Sequence, residues 1–517
     1  MQSLFEGHIQ EPIRIRQAMS AISDMISEPR FWVLLVFISA FGLILSEKIH
    51  RTIAAWFGCV CVMFLGITMG VKDHQGSSGV FNLCKDVGDG ETKFGHLIAS
   101  FMPDSSGVVC KDSLESLMLS WIHFDVIGLL LGMMIFAALL EISGFFEFVA
   151  IKAAKMSKGD PWKLLVFLGT LTPLLSLVID NVTAVIIIAP VTVKLCNRLE
   201  INPIPLLIAE AILSNTGGVA SMVGDPPNVM IAATAAGIPE IAGLFGFIGF
   251  LLRLGFISFF AWAATLAYMR WYYRDWTESV PTHVESLMEQ DEWDAIEDLR
   301  LLKVTSVILT ITIMMFTLTE LLHLGIHIHA LALAGAGIAL VVVRPEDTEL
   351  RHGLMHTVSE KVEWAALMFF AALFILVGAM DNVGYLKDLA EWIFSEFGSN
   401  HVMLAVAVIW ISAIASAIVD NIPFTAAMIP VIIAIGEADP TMDIAPLFWA
   451  LALGAGFGGN ATPIGSSANV VTIAISERSP QPITTGEWMR IGVPIMLITC
   501  TMASISMVIF HGTLYSS

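Results

Sequence analysis

Long apolar runs, separated by short polar segments, dominate the pattern of hydrophobic positions along this chain. They form two series, which cover residues 31–46, 52–70, 119–145, 203–235 and 241–271, and then 302–324, 327–344, 363–385, 441–475 and 488–512. About 20 apolar residues are enough for a helix to cross the hydrocarbon of a bilayer. The pattern therefore predicts an all-α polytopic membrane protein with two similar halves of five crossings each.

Each series contains one further apolar stretch, 161–198 in the first and 400–436 in the second, and the two resemble each other. Each carries an Asp-Asn pair, Asp180-Asn181 or Asp420-Asn421, in the middle of the stretch, and the two pairs lie 240 residues apart. Because the polar centre is followed by a short exit leg, we predict a re-entrant hairpin that enters and leaves on one side. A carboxylate costs roughly 2.5–3.5 kcal/mol in hydrocarbon, so two at matched positions indicate a functional site.

A segment rich in glycine and proline follows each hairpin. The stretches Ser214–Asn228 and Gly454–Asn469 match at a spacing of 241 residues, as in Gly224 with Gly465 and Asn228 with Asn469. Glycine costs about 1 and proline about 3 kcal/mol inside a helix, so these stretches predict broken helices at 203–235 and 441–475. Broken backbone at bilayer depth is tolerated where it is buried or lines a watery cavity. We expect each break to face a hairpin tip near the midplane.

The distribution of Lys and Arg predicts how the halves are oriented. Short segments with Lys or Arg are 47–51, 151–163, 194–202, 344–361 and 476–490, and those without are 236–240, 325–329, 437–446 and 511–517. These sets alternate as the positive-inside rule requires if the first set is cytoplasmic. Five is an odd number of crossings, so the repeat at 302–512 is expected to be inverted relative to the repeat at 31–271.

Three polar segments lie outside the repeats or between their spans. Residues 1–30 form a polar N-terminal segment whose side of the membrane stays open, because the scheme places it outside although it contains three Arg. Residues 272–301 form an acidic cytoplasmic linker, interpreted as solvated or, alternatively, as a docking site for a regulator. The loop at 71–118 contains Cys84 and Cys110, which could pair in an oxidising compartment; whether they do is left open.

Composition agrees with a membrane protein and narrows the functional classes. The 517 residues are 56% hydrophobic and 14% charged, with a mean hydropathy of +0.78. The net charge of −20 argues against nucleic acid as a partner, which requires a basic surface. No motif pairs a nucleophile with a base, so an enzyme is not indicated. A lipid bilayer is the expected partner, and the pattern does not distinguish the plasma membrane from an organelle membrane.

The two predicted sites differ by one carboxylate. Asp225 in the first break matches Ser466 in the second, so only the first half carries a second acidic residue. Buried carboxylates can exchange a proton for a cation, and hard cations prefer oxygen ligands, whereas helix N-termini favour anions. We expect this asymmetry to be the place where protons or sodium are coupled to transport.

These motifs are similar to those of the ion transporter superfamily. The combination of Asp-Asn-x-Thr and Gly-Asp-Pro-Pro-Asn with Asp-Asn-Ile-Pro-Phe-Thr and Gly-Gly-Asn-x-Thr resembles the P protein (pink-eyed dilution), ArsB and NhaD branch, with a citrate-transporter-like domain. The resemblance covers about residue 40 to the end. It implies a homodimer in which a mobile transport domain moves as an elevator against a fixed scaffold.

The resemblance also implies which residues bind ions. One Na⁺ site would comprise Asp180, Asn181, Gly224 and Asn228, and the other Asp420, Asn421, Gly465 and Asn469. Thr183 and Thr425 would lie near the substrate, and Asp225, Asn460, Thr462 and Ser466 complete the candidate set. Bound Na⁺ is the expected ion, and no other cofactor is expected. Both hairpin tips carry Asp, unlike the neutral tips of the dicarboxylate symporters.

The hypotheses for function are therefore ordered. A secondary active transporter that exchanges Na⁺ for H⁺ is favoured. The alternative is a Na⁺- or H⁺-coupled transporter of an anion or weak acid such as chloride, a carboxylate, arsenite or silicic acid. A channel is the third hypothesis, disfavoured because conduction through a pore does not need paired hairpins with protonatable tips.

Overall fold

The computed structural model confirms an all-α architecture. It describes residues 28–45, 49–72, 81–82, 84–86, 108–110, 113–278, 291–322, 324, 326–344, 348–397, 400–477 and 482–516. Most of the polar N-terminal segment, most of the loop at 71–118 and the centre of the acidic linker lie outside these residues. The described strands, β1 (Val71–Lys72), β2 (Phe81–Asn82), β3 (Cys84–Asp86) and β4 (Val108–Cys110), are all within that loop.

The helices of the first half follow the predicted segments. They are α1 (Pro29–Leu45), α2 (Arg51–Met69), α3 (Leu114–Trp121), α4 (Phe124–Ile142), α5 (Phe145–Ser157), α6 (Pro161–Ser176), α7 (Asn181–Leu199), α8 (Ile204–Gly218), α9 (Pro226–Ala236) and α10 (Phe247–Tyr272). The short helix α11 (Arg274–Thr277) and a 3-10 turn (Glu292–Ala295) lie in the acidic linker. Hairpin 1 is α6 with α7, and broken helix 1 is α8 with α9.

The second half repeats this order. Its helices are α12 (Leu299–Leu321), α13 (Ile328–Val343), α14 (Thr348–Lys361), α15 (Trp364–Asn382), α16 (Tyr385–Phe397), α17 (His401–Ile418), α18 (Asn421–Ala438), α19 (Ala445–Gly458), α20 (Ser467–Ser476) and α21 (Thr485–Phe510). A 3-10 turn (Gly459–Ala461) follows α19. Hairpin 2 is α17 with α18, and broken helix 2 is α19 with α20.

Local sequence explains where the hairpin helices begin. Asp160 accepts a hydrogen bond from the Lys163 backbone N–H at 3.1 Å and Pro161 follows it, a combination typical of a helix N-terminus. Asn400 caps α17 in the same way, with 3.0 Å to the Val402 N–H. The hairpins therefore start at the residues where their apolar runs start.

Nine helices within the described part of the chain are long and apolar enough to cross a membrane. The outward side chains of such helices are large and apolar, as in Phe64 and Leu252, which are 64% and 65% exposed. Exposure of this kind suits a lipid environment and would be unfavourable in water. The chain is thus a multi-pass integral membrane protein. The inversion of one repeat relative to the other stays a prediction.

Close contacts divide the chain into two units. The first comprises Met1–Ile122 and Met368–Asp388. Within it the Trp56 indole N–H donates to the Met368 carbonyl at 3.1 Å, and the Cys59 thiol donates to the Ala372 carbonyl at 3.0 Å. The backbone of Cys84 lies directly opposite that of Cys110 in the antiparallel pair β3–β4. A disulfide between them stays a prediction.

The second unit comprises His123–Leu367 and Leu389–Ser517, and it contains both hairpins and both broken helices. Its core includes a cluster of fully buried aliphatic side chains from α6, α7 and α8, such as Leu165, Ile188 and Leu207. Trp488 from α21 is also fully buried in this cluster. All of the candidate site residues lie in this unit.

The end of the acidic linker packs against α5 in the same unit. The Lys155 ammonium lies 2.7 Å from the Glu292 carboxylate, and the Trp293 ring lies 4.8 Å from the Phe148 ring. The hydrogen bond from Lys155 lowers the pKa of Glu292. At least this part of the acidic linker is therefore held against the membrane-embedded helices.

Candidate functional site

The two hairpin tips place their aspartates at helix N-caps. Asp180 caps α7, where its carboxylate accepts from the Thr183 backbone N–H at 2.9 Å and from the Thr183 hydroxyl at 2.6 Å. Asp420 caps α18, where it accepts from the Ile422 N–H at 3.3 Å and from the Ser467 hydroxyl. Each tip aspartate thus has a structural role beside any role in binding.

Each broken helix approaches its own hairpin through a glycine. The Gly224 carbonyl accepts from the Asn181 backbone N–H at 3.0 Å, and a Cβ at Gly224 would lie 2.1 Å from the Ser176 carbonyl oxygen. In the second half a Cβ at Gly465 would lie 2.8 Å from the Ser416 carbonyl oxygen. Only glycine allows the backbones to come this close. The predicted meeting of hairpin tip and break is present within each half.

Asn228 and Asn469 bind backbone carbonyls that the breaks leave free. The Asn228 amide donates to the carbonyls of Gly218, Val219 and Ser221, at 3.2, 3.1 and 2.9 Å. The Asn469 amide donates to the equivalent carbonyls of Gly459 and Thr462, at 2.8 and 2.9 Å. The hydroxyls of Ser221 and Thr462 donate to matched carbonyls in the hairpins, those of Leu177 and Ala417. Both breaks therefore share one local geometry.

Asp225 is the side chain on which both hairpin tips converge. Its Oδ1 accepts from the Asn181 amide at 3.3 Å, and both of its oxygens accept from the Asn421 amide at 3.2 Å. It is 1% exposed and interacts electrostatically with Asp180 and Asp420. Among the described residues no Lys, Arg or His pairs with it. A carboxylate held only by neutral amides needs a proton or a cation to balance its charge.

A residue outside the predicted set, Asn215, links the two broken helices. Its carbonyl oxygen accepts from the Asn181 amide and the Ser466 hydroxyl, both at 3.0 Å. Its amide donates to the side-chain oxygens of Asn460 and Asn469, again at 3.0 Å. Asn215 follows Ser214 in the motif of the first break, but its match at a spacing of 241 residues is Gly456. Comparison of the halves therefore gave no signal for it.

Several buried oxygens near the tips have no hydrogen-bond partner among the described residues. They are Oδ1 of Asn181, Oδ1 of Asn228 and Oγ1 of Thr425. Hard cations bind carboxylate, amide and hydroxyl oxygens, and buried oxygens of this kind are otherwise costly. The donor set around Asp225 therefore fits Na⁺, the ion that the sequence predicts. No group of three or more His, Cys, Asp or Glu that could hold a metal occurs within the described ranges.

Four helix N-termini begin at this cluster. Asp180, Asp225, Asp420 and Ser466 occupy the N-cap positions of α7, α9, α18 and α20, respectively. Helix N-termini stabilise negative charge, so three of them lower the cost of the three carboxylates. The carboxylates leave only the N-terminus at Ser466 without a negative partner.

The fold and the polar centre buried among apolar helices define a membrane transporter. The chain belongs to the citrate transporter (CitMHS) family, whose model matches residues 41–454. It is 34% identical over 473 residues to the 46 kDa membrane protein of Mycobacterium leprae, which covers 91% of this chain and 96% of that protein. It is 32% identical over 462 residues to the P protein of Homo sapiens, which covers 76% of this chain but 54% of that protein.

Two solved transporters share the fold at low identity. The Alcanivorax borkumensis YdaH transporter has a TM-score of 0.54 and 15% identity, over 91% of this chain and 100% of that one. Neisseria gonorrhoeae MtrF, whose description places it in a class of antimetabolite efflux pumps, has a TM-score of 0.51 and 14% identity, over 93% and 95%. The predicted resemblance to the ion transporter superfamily is confirmed, and the relatives are transporters rather than enzymes.

Proposed function

We propose that this transporter is a secondary active antiporter in which Na⁺ and H⁺ compete for Asp225. The observation that carries the proposal is the position of Asp225, buried between the tip amides Asn181 and Asn421 of the two hairpins. Na⁺ binding requires an ionised carboxylate, and a protonated carboxyl cannot hold the ion. Exchange of one for the other is antiport chemistry.

The tip contacts give this exchange a way to act on the fold. Protonation of Asp225 removes a charge that the amides of Asn181 and Asn421 solvate, so it changes the interaction of both hairpins with broken helix 1. Movement as an elevator and assembly as a homodimer, which the family resemblance implies, belong to the proposal.

The main alternative is transport of an anion or weak acid. It is supported by the helix N-termini at the site, but three of the four already carry an aspartate. A bound anion would meet these carboxylates unless Na⁺ or protons neutralised them. Thermal unfolding with each anion, with and without Na⁺, separates the two. Stabilisation by an anion only when Na⁺ is present would favour the alternative.

Flux through the purified full chain in liposomes tests the proposal. An inward Na⁺ gradient is expected to drive protons out, so a pH dye in the lumen reports alkalinisation. Asp225→Asn is expected to abolish the signal, while Asp275→Asn, in a side chain that is 93% exposed, is expected to retain it. Asp180→Asn and Asp420→Asn should slow exchange, since both flank Asp225. Alkalinisation that is the same in Asp225→Asn as in the wild type would refute the proposal.

A further inference from the structure

A second buried acid, Glu210 of α8, lies apart from the Asp225 cluster. Its side chain is 0% exposed. The Thr192 hydroxyl of α7 donates to Oε1 at 2.5 Å, and Oε2 has no hydrogen-bond partner among the described residues. Such a carboxyl is unfavourable in its ionised form, because nothing but one hydroxyl solvates it.

The helices around Glu210 bring no charge to it. Helices α6, α7, α10, α19 and α20 pack against α8. Their charged side chains are Lys163, Lys194, Arg198, Arg253 and Arg270, and within the described part of the chain none of them pairs with Glu210. The titratable group that interacts with Glu210 is the Cys196 thiol, which is fully buried.

Glu210 lies between the Asp225 cluster and the open end of hairpin 1. It is one helical turn before Ser214 and on the same face of α8. The Ser214 hydroxyl donates to the Asn181 carbonyl at the hairpin tip, at 3.2 Å. Thr192, its partner, lies eleven residues after Asn181 in α7, which places it about 16 Å from the tip along the helix.

The second half shows that the fold does not need this carboxyl. The residues that match Thr192 and Glu210 are Ile432 and Leu451, and both are fully buried in the equivalent helices. The same helix pairing therefore packs with two aliphatic side chains. Thr192 and Glu210 are thus a polar exception to the repeat, as Asp225 is.

We propose that Glu210 is a second proton-binding group of the transport cycle, which passes protons between Asp225 and the open end of hairpin 1. The inference rests on the proposed function. Glu210 releases its proton to water at the open end of the hairpin and becomes a carboxylate. When Na⁺ displaces the proton of Asp225, that O–H bond breaks and an O–H bond forms on Glu210.

Exchange in liposomes, measured over a range of pH, tests the inference with four variants. Glu210→Gln is expected to slow Na⁺/H⁺ exchange about tenfold or more and to change its pH profile. Glu210→Asp is expected to restore part of the rate. The double variant Thr192→Ile with Glu210→Leu copies the second half and is expected to unfold at no lower temperature than the wild type while exchanging as slowly as Glu210→Gln. Asp225→Asn is the reference for the proposed function.

Binding is measured separately as the thermal stabilisation that Na⁺ causes. Glu210→Gln and the double variant should keep this stabilisation, and Asp225→Asn should lose it. If Glu210→Gln exchanges like the wild type at every pH, the inference is wrong and the proposed function stands. If the wild type itself shows no exchange, both are wrong. If neither Glu210→Gln nor the double variant folds, Glu210 is structural and the inference is wrong.

Discussion

At the scale of single residues, the repeated motifs predicted the positions of the polar side chains but not their partners. The spacing of 240 residues located Asp180 and Asp420, and the structure places both at helix N-caps. The contact between Asp225 and Asn421 joins residues 196 positions apart and from different halves. A pattern along the chain contains no information about such a contact.

Two other residues show the same limit. Asn215 is matched by a glycine in the second half, and Glu210 is matched by a leucine. A search for what the halves share cannot find residues that only one half has. Asp225 was found because its match, Ser466, lies in a motif that both halves share.

The glycines of the breaks allow a sharp test of the local geometry. Gly224→Ala is expected to lower thermal stability and the yield of folded protein, because the new Cβ would lie 2.1 Å from the Ser176 carbonyl oxygen. Gly243→Ala is the matched control, since nothing lies within 4 Å of a Cβ there. The expected cost for Gly224→Ala is about 1–3 kcal/mol, as for overpacking in a core. Equal stability of the two variants would contradict the close approach.

At the scale of elements, hydropathy and the rules for helix ends predicted the helices well. The hairpin predicted at 161–198 is α6 and α7, Pro161–Ser176 and Asn181–Leu199. Apolar length, N-cap residues and dense glycine are local signals, so they can be read from the sequence. The contact of the linker turn at Glu292 with α5 had no such signal, because an acidic run is usually solvated.

This linker contact is expected to depend on pH. Because Lys155 lowers the pKa of Glu292 in the folded state, the bridge stabilises the contact at pH above the usual 4.5 and is lost as pH falls through the lowered value. Hydrogen exchange of residues 291–298, corrected for intrinsic rates, should therefore accelerate in acid. Glu292→Gln should exchange fast at either pH, while Glu278→Gln should behave as the wild type. Acid-independent protection in the wild type would contradict the bridge.

At the scale of the whole molecule, the family and the fold support a transporter with two related halves. The hydrogen bonds of Asn228 and Asn469 repeat in both. Their inversion across the membrane follows from counting crossings and from the positive-inside rule, and stays a prediction.

Labelling of introduced cysteines tests the inversion. Asn197 and Glu437 lie at matched positions near the ends of α7 and α18, and both are exposed. Asn197→Cys is expected to react with a membrane-impermeant reagent from the cytoplasmic side and Glu437→Cys from the opposite side. Reaction of both from one side would exclude an inverted repeat.

The affinity of the purified protein for Na⁺ as a function of pH tests the central claim most directly. If Na⁺ and H⁺ compete for Asp225, the apparent dissociation constant measured by equilibrium dialysis with ²²Na⁺ should rise as pH falls, approaching about tenfold per pH unit, and Asp225→Asn should bind Na⁺ weakly at every pH. Na⁺ binding that does not change with pH, or that survives in Asp225→Asn, would contradict the account.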